Sequence, residues 1–136
     1  MLKTILSQIT DELKNAGVSE VYTAFDNIPM DKKCGGIFTV AGIDSFESSA
    51  PIYSEYTIFL PFRAEAGISL IAPLSMDMAR LYDVFDSEVM PLMDRLGSLT
   101  CSLRNITMKN DANIKKLVLK ARFSVSGISK LERSRS

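Results

Sequence analysis

The residues of this 136-residue chain that are best suited to chemistry lie around Cys34. Lys32 and Lys33 precede the thiol, and Gly35 and Gly36 follow it. Neighbouring lysines can lower the pKa of a thiol and so favour its reactive thiolate form. An anion site or a reactive thiol is therefore one interpretation, and an enzyme with Cys34 as its nucleophile is one hypothesis. A glycine pair after two lysines is also an ordinary flexible turn, which is the structure we expect.

A second group of reactive side chains consists of acids on a predicted helix. Asp83, Asp86 and Glu88 are spaced closely enough for acid–base catalysis. The apolar residues of the same segment define its buried side, and the acids fall on the opposite side. We therefore expect a solvated helix face and not a catalytic pair.

Several features that most catalytic sites need are absent from the sequence. There is no histidine, which removes the commonest general base and the usual Ser-His and Cys-His pairs. The phosphate-binding patterns GxxxxGKS/T and GxGxxG are missing, and so is the GxSxG elbow. Cys34 and Cys101 do not form a CxxC pair, and we expect two reduced, packed thiols. The sequence thus predicts a protein that is not an enzyme, with no catalytic residue, no cofactor and no metal.

Apolar spacing predicts the elements that must position any site. Residues 2–16 have the three-and-four spacing of an amphipathic helix, which Gly17 ends. Residues 75–96 predict a second helix with Ser75 as N-cap and an apolar stripe that includes Tyr82, and Pro91 should kink this helix or start a second short one. The predicted strands are residues 21–25, 37–43, 52–63, 99–108 and 117–126. The predicted loops are residues 29–36 and 44–51, with a turn at 109–113.

Together these elements predict one α+β domain over residues 1–128, followed by a flexible basic tail at 129–136. Its order is α-β-β-β-α-β-β, with a mainly antiparallel sheet of about five strands and two main helices on one face. Several aromatics, among them Phe46, Tyr53 and Phe59, lie where the opposite strand face already supplies the core. We expect such side chains to be covered either by this domain or by another chain.

The charge of the chain is balanced overall but uneven along its length. Formal net charge is zero, which argues against a general nucleic-acid-binding protein. Residues 1–95 carry 7 Lys/Arg and 14 Asp/Glu, whereas residues 96–136 carry 9 Lys/Arg and 2 Asp/Glu. This asymmetry is either scatter over a solvated surface or a pair of patches suited to head-to-tail packing of identical copies. Polar residues interrupt every apolar stretch, so we expect no signal peptide, no membrane contact and synthesis in the cytoplasm.

Four segments of this layout carry a resemblance to a known family. They are the helix MLKTILSQITDEL, the hairpin IFTVAG…IYSEYTIFLPF, the helix SMDMARLYDVFDSEVMPLMDRL and the hairpin SLTCSLRNI…LVLKARFSVSG. In this order the chain resembles the tail-terminator and head–tail joining (neck) proteins of bacteriophages and prophages. The resemblance implies a virion assembly protein that forms a homo-oligomeric ring, commonly a hexamer, which ends the tail tube or joins it to the head. The implied partners are further copies, tail-tube proteins and head-completion proteins, and the implied location is the virion, assembled in the host cytoplasm.

The resemblance also implies which residues make contacts. Loops 29–36 and 44–51 would touch neighbouring subunits and the tube, and the contact residues would be Phe46, Glu47, Lys32 and Lys33. A basic ring lining could face DNA through nonspecific phosphate contacts of Lys120 and Arg122, although an ordinary solvated strand face is the alternative. The alternative function is a small, dimeric α+β ligand-binding or regulatory domain, which would need an apolar pocket between sheet and helices.

Overall fold

The computed structural model describes residues 2–17, 21–23 and 36–133. The elements up to the second helix are α1 (Leu2–Asn15), β1 (Val21–Thr23), β2 (Phe38–Ser48), β3 (Ile52–Tyr53) and β4 (Thr57–Pro73). The elements that follow are α2 (Met78–Val84), a π-helical turn (Phe85–Val89), a 3-10 turn (Met90–Asp94), β5 (Thr100–Asp111) and β6 (Lys116–Glu132).

The strands of the described ranges form one six-stranded sheet in the order β1-β2-β4-β6-β5, and the short strand β3 also pairs with β4. β1 runs parallel to β2, and the other pairs are antiparallel. β4 and β6 form the longest ladder, which joins Thr57 to Glu132 at one end and Pro73 to Lys116 at the other. The prediction of an α+β fold with a mainly antiparallel sheet is confirmed.

Helix α1 packs on the sheet as its sequence predicts. Ile5, Ile9 and Leu13 are buried, at the spacing that brings them onto one side of the helix. Gly17, with a φ of 110°, follows the helix and takes the left-handed conformation that ends it. These side chains share one core with the helix-facing residues of β4 and β6.

The second helical segment begins later and is less regular than predicted. Asp77 and not Ser75 is the N-cap, and its side chain accepts a hydrogen bond from a backbone N–H two residues on at 3.2 Å. Pro91 lies in the 3-10 turn, where a residue without an N–H does not interrupt α-helical bonding. The buried side of α2 is centred on Leu81, so Tyr82, one position round the helix, is exposed and not part of the stripe.

β4 is a central strand and continues to Pro73, well beyond the predicted end at residue 63. In this second half, alternate residues are buried against the helices, but several of them are alanine. Ala64, Ala66 and Ala72 leave room for the helical layer while giving little of the β-branched or aromatic signal by which strands are recognised. The apolar alternation is therefore hard to see in the sequence.

Pro61 lies within β4 without interrupting it. Its carbonyl accepts a hydrogen bond from the Ser49 N–H at 2.9 Å, so its backbone groups face the β2 side. The N–H that proline lacks would fall between the end of β2 at Ser48 and the start of β3 at Ile52, where no ladder partner is required. The single predicted third strand is thus divided into β3 and β4. Segment 44–51 is not a loop, because its first five residues belong to β2.

β6 also extends past its predicted end. Residues 129–132, which are predicted to belong to a flexible basic tail, pair with residues 57–60 of β4. Backbone pairing and not burial explains this extension, since most of these residues are exposed. Residues 134–136 lie outside the described ranges.

Candidate functional site

One end of the sheet continues beyond the hydrophobic core, and we call it the arm: residues 49–61 and 128–133. β2 ends opposite Phe62 and β5 begins opposite Ser126, so only β3, β4 and β6 continue into the arm. None of the arm residues belongs to the buried core, whereas Phe62 at its base does. The arm is therefore a three-stranded ribbon outside the core.

Large apolar side chains that are more than half exposed are concentrated in the arm. They are Ile52 (57%), Tyr53 (64%), Tyr56 (52%), Ile128 (60%) and Leu131 (64%). In the rest of the described chain, no large apolar side chain exceeds the 47% exposure of Met108. A single exposed apolar residue needs no explanation, but five within one three-stranded ribbon are a concentration of the kind that marks an interaction site.

The strand register distributes these side chains over both faces of the arm. Tyr53, Ile58 and Leu131 are paired across β3, β4 and β6, and directly paired residues point to the same face. The corresponding row on the other face consists of Ile52, Phe59 and Lys130. The Lys130 ammonium lies over the Phe59 ring, 5.9 Å from its centre, and so covers part of that ring.

Arg133 fixes the tip of the arm. Its backbone N–H donates to the Tyr56 carbonyl at 2.8 Å, and its guanidinium Nη1 donates to the Ser54 carbonyl at 2.9 Å. The guanidinium also lies 5.7 Å from the centre of the Tyr53 ring. The Ser54 hydroxyl closes the turn by donating to the Thr57 carbonyl at 2.8 Å. These contacts hold the turn and the Tyr53 ring in one arrangement, which lowers the entropy lost on binding.

A second surface feature is an apolar groove of about 370 Å³ between α1 and β2. Its lining includes Leu2, Lys3, Leu6, Ile43, Asp44 and Phe46. The groove lies beside a bulge in β2, where the register with β4 shifts between Ile43 and Ser45. Its volume and its apolar lining with few polar groups are those of small-molecule sites, and it lies between helix and sheet as the ligand-binding alternative requires.

The predicted contact residues Phe46 and Glu47 lie in β2 and not at a loop tip. The Phe46 ring stacks on Phe62 with 5.6 Å between centroids, so Phe46 is half-buried beside the groove. Glu47 points to the other face of the sheet, where its carboxylate lies 3.4 Å from the Arg63 guanidinium. Because that pair is exposed, it contributes little to stability. A subunit contact through either residue stays a prediction.

Lys120 and Arg122 share one face of β6, as the alternation predicts. The Lys120 ammonium lies 3.7 Å from the carboxylate of Asp44, the extra residue of the β2 bulge. The pair crosses Gly67, where a Cβ would come within 2.8 Å of the Asp44 carboxylate. The charge of Lys120 is therefore partly balanced within the chain, while Arg122 is exposed. Contact of these residues with DNA stays a prediction.

Only some of the potentially reactive residues of the sequence lie within the described ranges. Lys32, Lys33 and Cys34 lie outside them. Cys101 is a free, buried thiol, and its burial raises the pKa to about 11. A thiol with such a pKa is protonated at neutral pH and is a poor nucleophile.

The acids of the second helical segment do not form a metal site. Asp83 and Asp86 are exposed, as predicted, and Glu88 is half-buried. Within residues 2–17, 21–23 and 36–133, no three His, Cys, Asp or Glu side chains are close enough to hold a metal ion together. The helices of the same ranges lack the length and apolar content that a membrane crossing requires.

Comparisons with known proteins return structures but no family. No family model matches the chain, and no curated protein matches it. The crystal structure of the type 4 fimbrial biogenesis protein PilO from Pseudomonas aeruginosa is similar over 94% of this chain and 72% of its own, with 10% identity and a TM-score of 0.37. The core region of PilO from the type IV pilus system of the same organism is similar over 78% of this chain and 90% of its own, with 12% identity and a TM-score of 0.28.

These comparisons correct the family prediction. Both structures are pilus biogenesis proteins, and no family model supports the phage resemblance. The predicted relationship to tail-terminator and head–tail joining proteins is wrong, and so are the predicted ring on a tail tube and the virion location. Shared order of helices and hairpins misled the prediction, because many small α+β proteins have such an order without common function.

The sequence predicts the arm only in part. It singles out Tyr53 and Phe59 as aromatics whose strand face has no obvious cover. It misses Ile128 and Leu131, because Gly127 resembles the end of a strand and the residues after it are polar and basic. The sequence signal for the arm is the presence of Ile128 and Leu131, two large apolar residues in a segment whose other residues suit a solvated tail.

Proposed function

We propose that this chain is a non-enzymatic protein-binding module whose binding surface is the arm. The observation that carries the proposal is the group of five large apolar side chains, each more than half exposed, on one ordered end of the sheet. None of the five belongs to the buried core of the described residues, so that core does not account for their position. Exposed apolar patches of this kind are typical of protein interaction surfaces.

The shape of the arm favours a protein partner over a small molecule. Small molecules bind in concave sites, whereas the arm is a ribbon with apolar side chains on both faces. A protein partner can enclose such a ribbon and bury Tyr53 and Leu131 on one face together with Ile52 on the other. Aromatic residues such as Tyr53 are enriched among the side chains that dominate protein interfaces.

The non-enzymatic part of the proposal is supported by the chemistry of the described residues. The buried Cys101 thiol has a pKa of about 11 and is a poor nucleophile at neutral pH. The acids Asp83 and Asp86 are exposed to solvent, whereas general acid–base catalysis needs a group that is held against the reacting atoms.

The test is photo-crosslinking from the arm in the producing cells. A photoreactive amino acid replaces Tyr53 in one variant, and it replaces Tyr82, an exposed tyrosine of α2, in a matched control. We expect a discrete protein adduct from position 53 and not from position 82. A second change in the same row, Leu131→Glu, should abolish the adduct. No adduct from position 53, or the same adducts from both positions, would contradict the proposal.

A further inference from the structure

We infer that the partner of the arm is a second copy of this chain, and that the arm tip of one copy inserts into the groove of the next. The inference rests on the proposed function and names its partner. The tip consists of residues 52–56, which carry three of the exposed apolar side chains. The groove between α1 and β2 is the complementary apolar concavity on the same chain.

The tip cannot occupy the groove of its own chain. Phe46, which lines the groove, is paired with Ala64 of β4, whereas Tyr53 of the tip is paired with Ile58, six positions earlier along the same strand. Strand residues are about 3.3 Å apart, so Tyr53 and the groove are separated by roughly 20 Å along the strand. Arg133 additionally holds the tip in line with the sheet. Insertion must therefore occur between copies.

The groove has room for the tip side chains. A dry cavity of about 150 Å³ accommodates one benzene ring. The groove, at about 370 Å³, is therefore large enough for two ring-sized groups. Tyr53 is the most exposed of the three large apolar side chains of the tip, and Leu2, Leu6 and Phe46 would form the apolar surface that receives its ring.

The charges of the two surfaces are complementary. Glu55 is exposed in the turn of the tip, and Lys3 is exposed at the groove. In the described part of the chain, neither side chain takes part in an ion pair. The other charged residue at the groove, Asp44, is already balanced by Lys120 at 3.7 Å. Lys3 is therefore the charge that the groove offers to a partner, and Glu55 is the charge that the tip brings.

This contact joins two different surfaces, so each copy still offers one tip and one groove after binding. Such head-to-tail contacts build chains, or closed rings where the rotation permits. The experiment must show that a tip binds a groove. The same two surfaces also allow a dimer in which tip binds tip, and they allow a small apolar ligand to bind in the groove.

Disulfide trapping between two differently labelled copies tests the contact directly. Full-length chains that lack Cys34 carry either Lys3→Cys or Glu55→Cys, and the buried Cys101 stays in place. After mixing under mild oxidation, we expect a disulfide-linked pair that contains one chain of each kind. The control replaces Glu55→Cys with Arg80→Cys, an exposed position on α2. Equal trapping in the control, trapping of Glu55→Cys chains only with each other, or no trapping at all would overturn the inference.

Sedimentation velocity over a range of concentrations provides the second measurement. Tyr53→Ala should weaken self-association roughly tenfold or more, as expected for a central aromatic. Glu55→Lys or Lys3→Glu should each weaken it about two- to fivefold, and a mixture of the two should recover most of the loss. A wild-type chain that stays monomeric at every concentration would contradict the inference.

The two proposals fail in distinguishable ways. A crosslink from position 53 to a different protein, without self-association, refutes the second copy and leaves the arm as a protein-binding surface. The absence of any crosslink from position 53 refutes both.

Discussion

Two regions of the same sheet share one backbone ladder but differ in how far their side chains are exposed. β4 and β6 pair without interruption from the covered region, residues 62–73 and 116–127, into the arm. In the covered region, the facing residues Leu70 and Leu119 are 0% and 1% exposed. In the arm, Leu131 of the same strand is 64% exposed. Backbone pairing therefore determines how far the two strands extend. The helices that cover the sheet determine which side chains are buried and so contribute to stability.

The largest expected effect comes from a matched pair of substitutions on β6. Leu119→Ala should lower the free energy of unfolding by about 2–5 kcal/mol, because it opens a cavity in the core. Leu131→Ala should change it by less than about 0.5 kcal/mol, because that side chain is largely solvated. Urea denaturation followed by circular dichroism measures both. Similar losses for the two variants would show that the arm is part of the cooperative core.

A second contrast concerns the reactivity of thiols in the two regions. In a chain that lacks Cys34, the buried Cys101 has a pKa of about 11, and a cysteine introduced by Ile128→Cys would be exposed. Since the thiolate is the reacting form, iodoacetamide at pH 8 should modify the arm thiol at least about a hundredfold faster. The rate at Cys101 should rise about tenfold per pH unit towards pH 11, whereas the arm thiol should level off above about pH 9. Mass spectrometry of timed samples measures both rates, and equal rates would refute the burial of Cys101.

The smallest expected effect concerns the contacts of Arg133 with the tip of the arm. Arg133→Ala removes the guanidinium contacts with Ser54 and Tyr53, and it should speed local amide exchange near the tip about two- to tenfold. Arg122→Ala, on β6 within the covered region, is the matched control and should leave tip exchange unchanged. Exchange followed by mass spectrometry resolves the two segments. Equal effects of both variants would mean that Arg133 does not fix the tip.

The parts of the fold that could be predicted are those with local and regular patterns. Helix α1 has its apolar residues at helical spacing and a glycine where it ends, and the β5–β6 hairpin has a polar turn between alternating segments. The second half of β4 could not be predicted, because Ala64, Ala66 and Gly67 give almost no hydrophobic contrast along the chain. Their burial depends on the helices that cover them, which is tertiary information.

The arm could be predicted only in part for the same reason. Tyr53 draws attention because aromatics are rarely left without cover. Whether a strand face is covered, however, depends on where the helices that pack on the sheet end. The pattern of residues along β4 does not indicate that point. The groove is still less visible in the sequence, since it is formed by α1 and a bulge in β2 that are separated by about 40 residues and are brought together by the sheet.

The long β4–β6 ladder also determines the order in which the sheet can form. Pro73 and Lys116, at one end, are roughly 40 residues apart in sequence, whereas Thr57 and Glu132, at the other, are roughly 75 apart, and pairs of greater separation form later. The β5–β6 hairpin is local, so we expect it to form first, β4 to join it near Pro73, and pairing to proceed towards the tip. The arm is then the last part of the sheet to close and the first to open. A newly made chain would therefore complete its fold before it presents its binding surface.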